Sequence, residues 1–308
     1  MKHLSLTGLV AATHTPFHED GSLNLAVVER QAAHLAANGV GHAFIGGTTG
    51  ESSSLTLEER RALTVRWMEV VRGAELKVIV HIGANCLADA RSLATQAQQL
   101  GARAISAVAP SYFKPGSVAR LVDCMADIAA AAPELPFYYY EIPLLTGINL
   151  PPAEFLAQAA DRIPNLAGIK FTSNNLMEYQ LCRAAGGGRF DVPFGFDEIM
   201  LSALALGATG AVGSSFNFAA PIYLRLMKAF AAGDLKTARE EQFRSVQLIA
   251  LLAARGYMGA AKATMKLLGV EVGPARLPNG SLSAEQQSGL RADLEKLGFF
   301  DWVARPWV

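Results

Sequence analysis

Lys170 sits inside the apolar run LAGIKFTS (166–173), between Ile169 and Phe171. An ammonium group is costly to hold out of water, so such a lysine meets a carboxylate, reaches solvent at a strand end, or gives up its proton. In the last case it is a nucleophile that can attack a carbonyl carbon and form an imine. A second cluster is FYYYEIP, where Tyr138, Tyr139 and Tyr140 precede Glu141. Side chains alternate along a strand, so Gly168, Lys170 and Thr172 share one face, and Tyr138 and Tyr140 share another. A phenol beside a neutral amine is a proton shuttle next to a nucleophile, whereas plain aromatic packing suffices for Tyr138 and Tyr139. A third is GGTTGES (46–52), with hydroxyls at Thr48 and Thr49 and bare backbone at Gly46, Gly47 and Gly50. It suits a small anion, or it is a solvated turn. No Lys-Ser/Thr pair follows the glycines, so it is not a nucleotide loop. Asp197 and Glu198, in GFDE, accept from vicinal hydroxyls or complement a helix N-terminus.

These groups need a scaffold that gathers them. Eight short apolar runs recur, each followed by a segment of helical period: LTGLVAATH, GHAFIGG, KVIVHIG, AISAVAP, FYYYEIP, LAGIKFTS, FDVPFGF and ATGAVGSS. Regular alternation of this kind predicts parallel strands joined by crossover helices. Eight units with almost wholly apolar strands predict an α/β fold of the closed (β/α)8 barrel type, over residues 1–232. A doubly wound sheet is the runner-up, but no glycine-rich dinucleotide loop follows the first run. Residues 233–308 read as a helical extension packed on the barrel. Thr56 with Glu59 forms a capping box, and Gly39, Gly101 and Gly207 stand where helices should stop. In a barrel the chemistry collects at the C-terminal ends of the strands, where all three clusters fall.

The 308 residues are 51% hydrophobic and 18% charged, an ordinary globular composition. The 27 basic residues balance 27 acidic ones, so nothing suggests a nucleic-acid surface. Cys86, Cys124 and Cys182 are widely spaced and odd in number, which fits small buried hydrophobes in a reducing cytoplasm. MKHLSLTGLVAATHTPF carries no long apolar run, so neither a signal peptide nor a membrane span is expected. His3, His14, His18, His34, His42 and His81 show no zinc-ligand spacing, so a zinc-dependent mechanism ranks last.

Taken in order along the chain, the motifs resemble those of the pyruvate-dependent class I aldolases, the family that includes N-acetylneuraminate lyase and dihydrodipicolinate synthase. The resemblance runs over nearly the whole chain. It implies a barrel with C-terminal helices, no metal or organic cofactor, and a homotetramer built as a dimer of dimers. By position, Lys170 matches the Schiff-base lysine and Tyr140 the tyrosine that moves protons. Thr48 matches the hydroxyl linking that tyrosine to a second one, matched by Tyr112, which in the family reaches into the neighbouring subunit's site. Thr49 and Gly50 match the group that holds the pyruvate carboxylate. Gly195, Asp197, Glu198, Ser214 and Thr172 match residues that contact the open-chain sugar.

Within the family the stretch after Tyr140 discriminates. Synthases carry YNVPxRT, whose arginine binds a substrate carboxylate, and Leu145 stands in its place here. YYYEIPLLTG instead looks like the YYYHIPALTG pattern of the lyases. The implied reaction is reversible cleavage of N-acetylneuraminate to N-acetylmannosamine and pyruvate. A related aldolase or dehydratase acting on another 2-keto sugar acid is the alternative, and a non-catalytic acid-binding barrel would have lost Lys170 or Tyr140. Three positions depart from the pattern. Glu141 replaces His or Asn, and either faces the pocket or pairs outward with a helix. Phe196 replaces a common tyrosine, and RGYMGAAK, with Met258, replaces GVFRGLK.

Overall fold

A computed structural model describes residues 5–303; His3 and the outer ends of the two expected segments lie outside the described residues. The strands are β1 (Gly8–Ala12), β2 (His42–Ile45), β3 (Lys77–His81), β4 (Ala104–Ala107), β5 (Phe137–Glu141), β6 (Leu166–Phe171) and β7 (Gly210–Gly213). All pair in parallel in the order β6-β5-β4-β3-β2-β1-β7. Helices cross over between them, as parallel neighbours require.

The seventh of the eight apolar runs, FDVPFGF, does not become a strand. Pro193 has no N–H to donate, so a continuous ladder is broken there. Residues 191–194 nevertheless fill the gap between β6 and β7 through single parallel bridges: Gly168 with Asp191, Phe171 with Phe194, and Phe194 with Ala211. The amides of Ile169 and Phe171 donate to the carbonyls of Asp191 and Pro193 (3.1 and 3.0 Å), and Val212 donates to that of Phe194 (2.8 Å). The approach is close enough that a Cβ on Gly168 would lie 1.7 Å from the Asp191 carbonyl oxygen. The result is a (β/α)8 barrel whose seventh position is an irregular, proline-interrupted segment.

Alternation sorts the strand residues into two cores. Val10, Ala12, Phe44, Ile79, Ala104, Tyr138, Tyr140 and Val212 fill the barrel interior. Their neighbours, such as Leu9, Ile45, Val80, Ile105, Tyr139 and Ile169, pack outward against the helices. Tyr138 is the floor of the interior, with its hydroxyl donating to Asp191 (2.9 Å).

Local signals hold where they were read. Thr56 accepts from the Glu59 amide (3.2 Å) and Glu59 accepts from the Thr56 amide (2.9 Å), capping the helix Leu57–Val70. After the helix Phe216–Ala231 come the helices Leu235–Ala254, Tyr257–Leu267, Ala284–Leu297 and Phe299–Val303. Leu248, Leu252, Ala260, Met265 and Leu290 join the same apolar core as the barrel helices. Glu241 receives Arg225 (3.0 and 2.9 Å), which ties the helix Leu235–Ala254 to the helix Phe216–Ala231. Among the described residues no helix is long and apolar enough to cross a membrane.

Candidate active site

Lys170 and Tyr140 lie opposite each other in the register of β6 and β5, both pointing into the barrel near its C-terminal end. Only 4% of Lys170 is exposed. Its Nζ lies 3.5 Å from the centroid of the Tyr140 ring and donates to Thr172 Oγ1 at 3.1 Å. The Tyr140 hydroxyl shares a 3.1 Å hydrogen bond with Thr48 Oγ1. An amine, a phenol and two alcohols drawn from three strand ends therefore form one connected cluster. Burial pushes the Lys170 ammonium below its ordinary value, while the Tyr140 phenol, Asp197 and Glu141 work in the opposite direction. The lowering makes the neutral amine, the form with a lone pair for attack on a carbonyl, easier to reach than for a lysine in water.

His81, unassigned by sequence spacing, closes the far side of Tyr140. Its ring meets Tyr140 edge-on at 5.7 Å, and Nδ1 donates to the Ser106 carbonyl at 3.0 Å. Burial, with Arg60 nearby, holds His81 well below its ordinary value, so it is a neutral ring that fixes the phenol's position.

Thr48, Thr49 and Gly50 follow β2 in a tight turn at whose end Glu51 is the one described non-glycine residue with positive φ (54°). That strained conformation is held from the C-terminal extension. Lys262 Nζ makes a buried ion pair with Glu51 Oε1 (2.7 Å) and also donates to the carbonyls of Thr15 and Pro274 (3.1 and 2.7 Å). Glu51 Oε2 accepts from the Arg276 amide (2.8 Å), and the Arg276 guanidinium is bidentate to Glu59.

The remaining expected residues form the opposite wall. Gly195 approaches so closely that a Cβ there would lie 2.2 Å from Thr172 Oγ1. Asp197 is buried, and its Oδ2 accepts from both the amide (3.0 Å) and the hydroxyl of Ser215. From Ser215 the network continues through Tyr223 (2.6 Å) to Ser245 (2.8 Å). Burial raises Asp197, against the Ser215 hydrogen bonds; burial and the adjacent Asp197 push Glu198 up to about 7. Ser214 shares a 2.7 Å hydrogen bond with the Tyr257 hydroxyl. Tyr112 is not brought to this cluster within one chain: it is 79% exposed and packs edge-on against Phe113.

Of the two orientations open to Glu141, the outward one is found, but its partner is a strand end rather than a helix. It lies in a cleft with Ile148, Pro152, Asn175 and Glu178, and Oε2 accepts from the Thr172 amide at 3.1 Å. Burial raises its carboxyl to about 7. Ser215, Tyr223, Tyr257 and His81 escaped the sequence reading. Tyr257 had a visible signal, a hydroxyl in the divergent RGYMGAAK stretch beside Met258; the others carry no local signal of such a role.

Strand-end residues of a (β/α)8 barrel here surround a desolvated lysine, at the end of the barrel where such enzymes carry their chemistry. The chain belongs to the dihydrodipicolinate synthetase family, which it matches over residues 5–297. It is 40% identical to the N-acetylneuraminate lyase of Xenopus tropicalis over 296 residues, 95% of this chain and 97% of the relative. Among solved structures it is similar to the native N-acetylneuraminate lyase (sialic acid aldolase) of Aliivibrio salmonicida, with a TM-score of 0.93, 43% identity, and 96% and 98% of the two chains covered. The N-acetylneuraminate lyase of Proteus mirabilis matches with the same TM-score, 40% identity, and 96% and 100% coverage.

Proposed function

We propose that this protein is a class I aldolase that reversibly cleaves N-acetylneuraminate to N-acetylmannosamine and pyruvate through an imine on Lys170. The observation that carries the reading is the buried amine of Lys170, 3.5 Å from the Tyr140 ring, with the phenol in turn bound to Thr48. Similarity to named lyases over 95–96% of this chain supports the substrate.

The neutral amine adds to the C2 ketone. Water leaves with a proton supplied by the Tyr140 phenol, and a protonated imine remains. That cation accepts the electron pair of the C3–C4 bond, giving an enamine of pyruvate. The Tyr140 phenolate takes the proton from the C4 hydroxyl as it becomes the aldehyde of the departing sugar. Protonation of the enamine at C3 and hydrolysis return the amine and release pyruvate. Thr49 and the amides of the turn through Gly50 hold the substrate carboxylate. Asp197, Glu198, Thr172 and Ser214, with backbone from Gly195, receive the hydroxylated chain. The scheme draws on no metal and no organic cofactor. Leu145, exposed on the short helix Pro143–Thr146, offers no cation for a second carboxylate, which sets the reading apart from the synthase reaction.

The active form in this proposal is a homotetramer, a dimer of dimers, in which Tyr112 of one copy completes the relay from Tyr140 and Thr48 in the next. Exposure of Tyr112 and Phe113 on their loop, and of Leu144 and Leu145 on the short helix Pro143–Thr146, supports a covered face there. A cytoplasmic location fits the free thiols of Cys86, Cys124 and Cys182. Borohydride reduction in the presence of N-acetylneuraminate, with peptide mass mapping, tests the chemistry. The expected result is a pyruvate-sized adduct on Lys170. An adduct from pyruvate but not from N-acetylneuraminate would move the substrate to another sugar acid, and no adduct from either would overturn the aldolase.

A further inference from the structure

The helix Tyr257–Leu267 belongs to the extension, not the barrel, yet its first residue reaches the wall expected to receive the substrate's hydroxylated chain. The Tyr257 hydroxyl lies 2.7 Å from Ser214 Oγ, directly after β7. Burial, aided by the nearby Asp197 and Glu198, holds this phenol above its ordinary value, so it stays protonated. A hydroxyl pair of this kind has two arrangements, and a phenol that keeps its proton can donate to Ser214 Oγ. With Tyr257 donating to Ser214, the serine's own proton is free to point away from the tyrosine. The wall then presents two kinds of group: carboxylates that accept at Asp197 and Glu198, and one hydroxyl turned into a donor at Ser214. A substrate whose far end bears several hydroxyls uses both kinds; one lacking them uses neither.

We propose that Tyr257 is a positioning residue that fixes Ser214 as a hydrogen-bond donor, and that this pair selects 2-keto acids carrying a polyhydroxylated chain over short 2-keto acids. The inference rests on the aldolase reading above and adds a residue of the C-terminal extension to substrate choice. Tyr257 touches Ser214 rather than the reacting carbons, so its loss shows in substrate binding and not in imine chemistry.

The test is Tyr257→Phe, which removes one oxygen and keeps the ring. It is compared with wild type on N-acetylneuraminate and on 4-hydroxy-2-oxopentanoate, which has no hydroxylated tail, with borohydride trapping of pyruvate in parallel. A lost hydrogen bond of ordinary strength predicts a fall in kcat/KM for N-acetylneuraminate of roughly five- to tenfold, mainly through KM. Short-acid cleavage and the rate of pyruvate trapping should stay within twofold. The double variant Tyr257→Phe/Ser214→Ala should be no worse than Ser214→Ala alone, because the tyrosine acts through the serine. An unchanged KM for N-acetylneuraminate, equal losses on both substrates, or fully additive losses in the double variant would each overturn the positioning role while trapping still worked. Failure of the wild-type enzyme to trap pyruvate would instead remove the aldolase reading and this proposal with it.

Discussion

Gly195→Ala tests the geometry of the site with a single methyl group. The Cβ would lie 2.2 Å from Thr172 Oγ1, 2.9 Å from Thr172 Cβ and 2.9 Å from the Phe171 carbonyl oxygen. Rotating the threonine relieves only the first contact, since the other two atoms do not move with χ1. If the threonine keeps its rotamer, the end of β6 or the segment at 195 must shift by about 0.8 Å for the Oγ1 contact to reach 3.0 Å; if it rotates, Oγ1 itself leaves its place. Overpacking of this size costs about 1–3 kcal/mol of stability. It also takes Thr172 Oγ1 away from its 3.1 Å contact with Lys170 Nζ. Misplacement of a reacting group by about 1 Å costs on the order of 100-fold in rate. Steady-state cleavage of N-acetylneuraminate and a thermal melt should show a kcat/KM reduced about 100-fold and a Tm lowered by several degrees. Adding Thr172→Ala, which removes the 2.2 Å contact, should recover part of the Tm but not the rate. A Gly195→Ala enzyme within twofold of wild type in kcat/KM would refute the steric argument.

Tyr140→Phe keeps the ring against Phe44 and His81 but removes the hydroxyl bound to Thr48, so turnover should fall about 10²–10⁴-fold with little change in Tm; turnover near wild type would contradict its role as shuttle. Glu141, raised to about 7 by burial, binds its proton more tightly in the folded than in the unfolded chain. Its contribution to stability is thus full below the ordinary carboxylate pKa near 4.5 and is lost as pH rises through about 7. Melts of Glu141→Gln should match wild type at pH 4.5 and exceed it at pH 8, by on the order of 1–3 kcal/mol; equal differences at both pH values would count against the shift. Lys262→Met leaves Glu51 buried and unpaired, and should cost about 3–5 kcal/mol with loss of activity, whereas Lys262→Met/Glu51→Gln should regain stability. Chemical denaturation of the two variants checks the order.

The site was legible in the sequence wherever short-range rules sufficed. Strand alternation alone brought Lys170 and Thr172 to one face, and parallel neighbours put Tyr140 beside them. The barrel followed from eight apolar runs, but the seventh was overcounted as a strand. An apolar run containing Pro193 looks like any other until one asks where each amide donates. What stayed hidden depended on contacts between distant parts of the chain. The direction of Glu141 turned on how β5 ends against β6, and nothing local marks Ser215 as the anchor of Asp197. Tyr257 reaches Ser214 only because the extension docks with one particular helix end over the barrel mouth.

The clasp of Lys262 and Arg276 on Glu51 has a bearing on the order in which the protein is made. A ribosome releases the turn with Thr48 and Thr49 early, and Tyr140 and Lys170 well before the extension. Until Lys262 and Arg276 emerge, Glu51 lacks both the Lys262 counter-charge and the Arg276 amide that hold it at positive φ, and the turn carrying Thr48 and Thr49 stays unset. A nascent or truncated chain could thus carry every residue of the proposed imine chemistry and still be silent. Synthesis of the last part of the polypeptide acts as the quality check on the first.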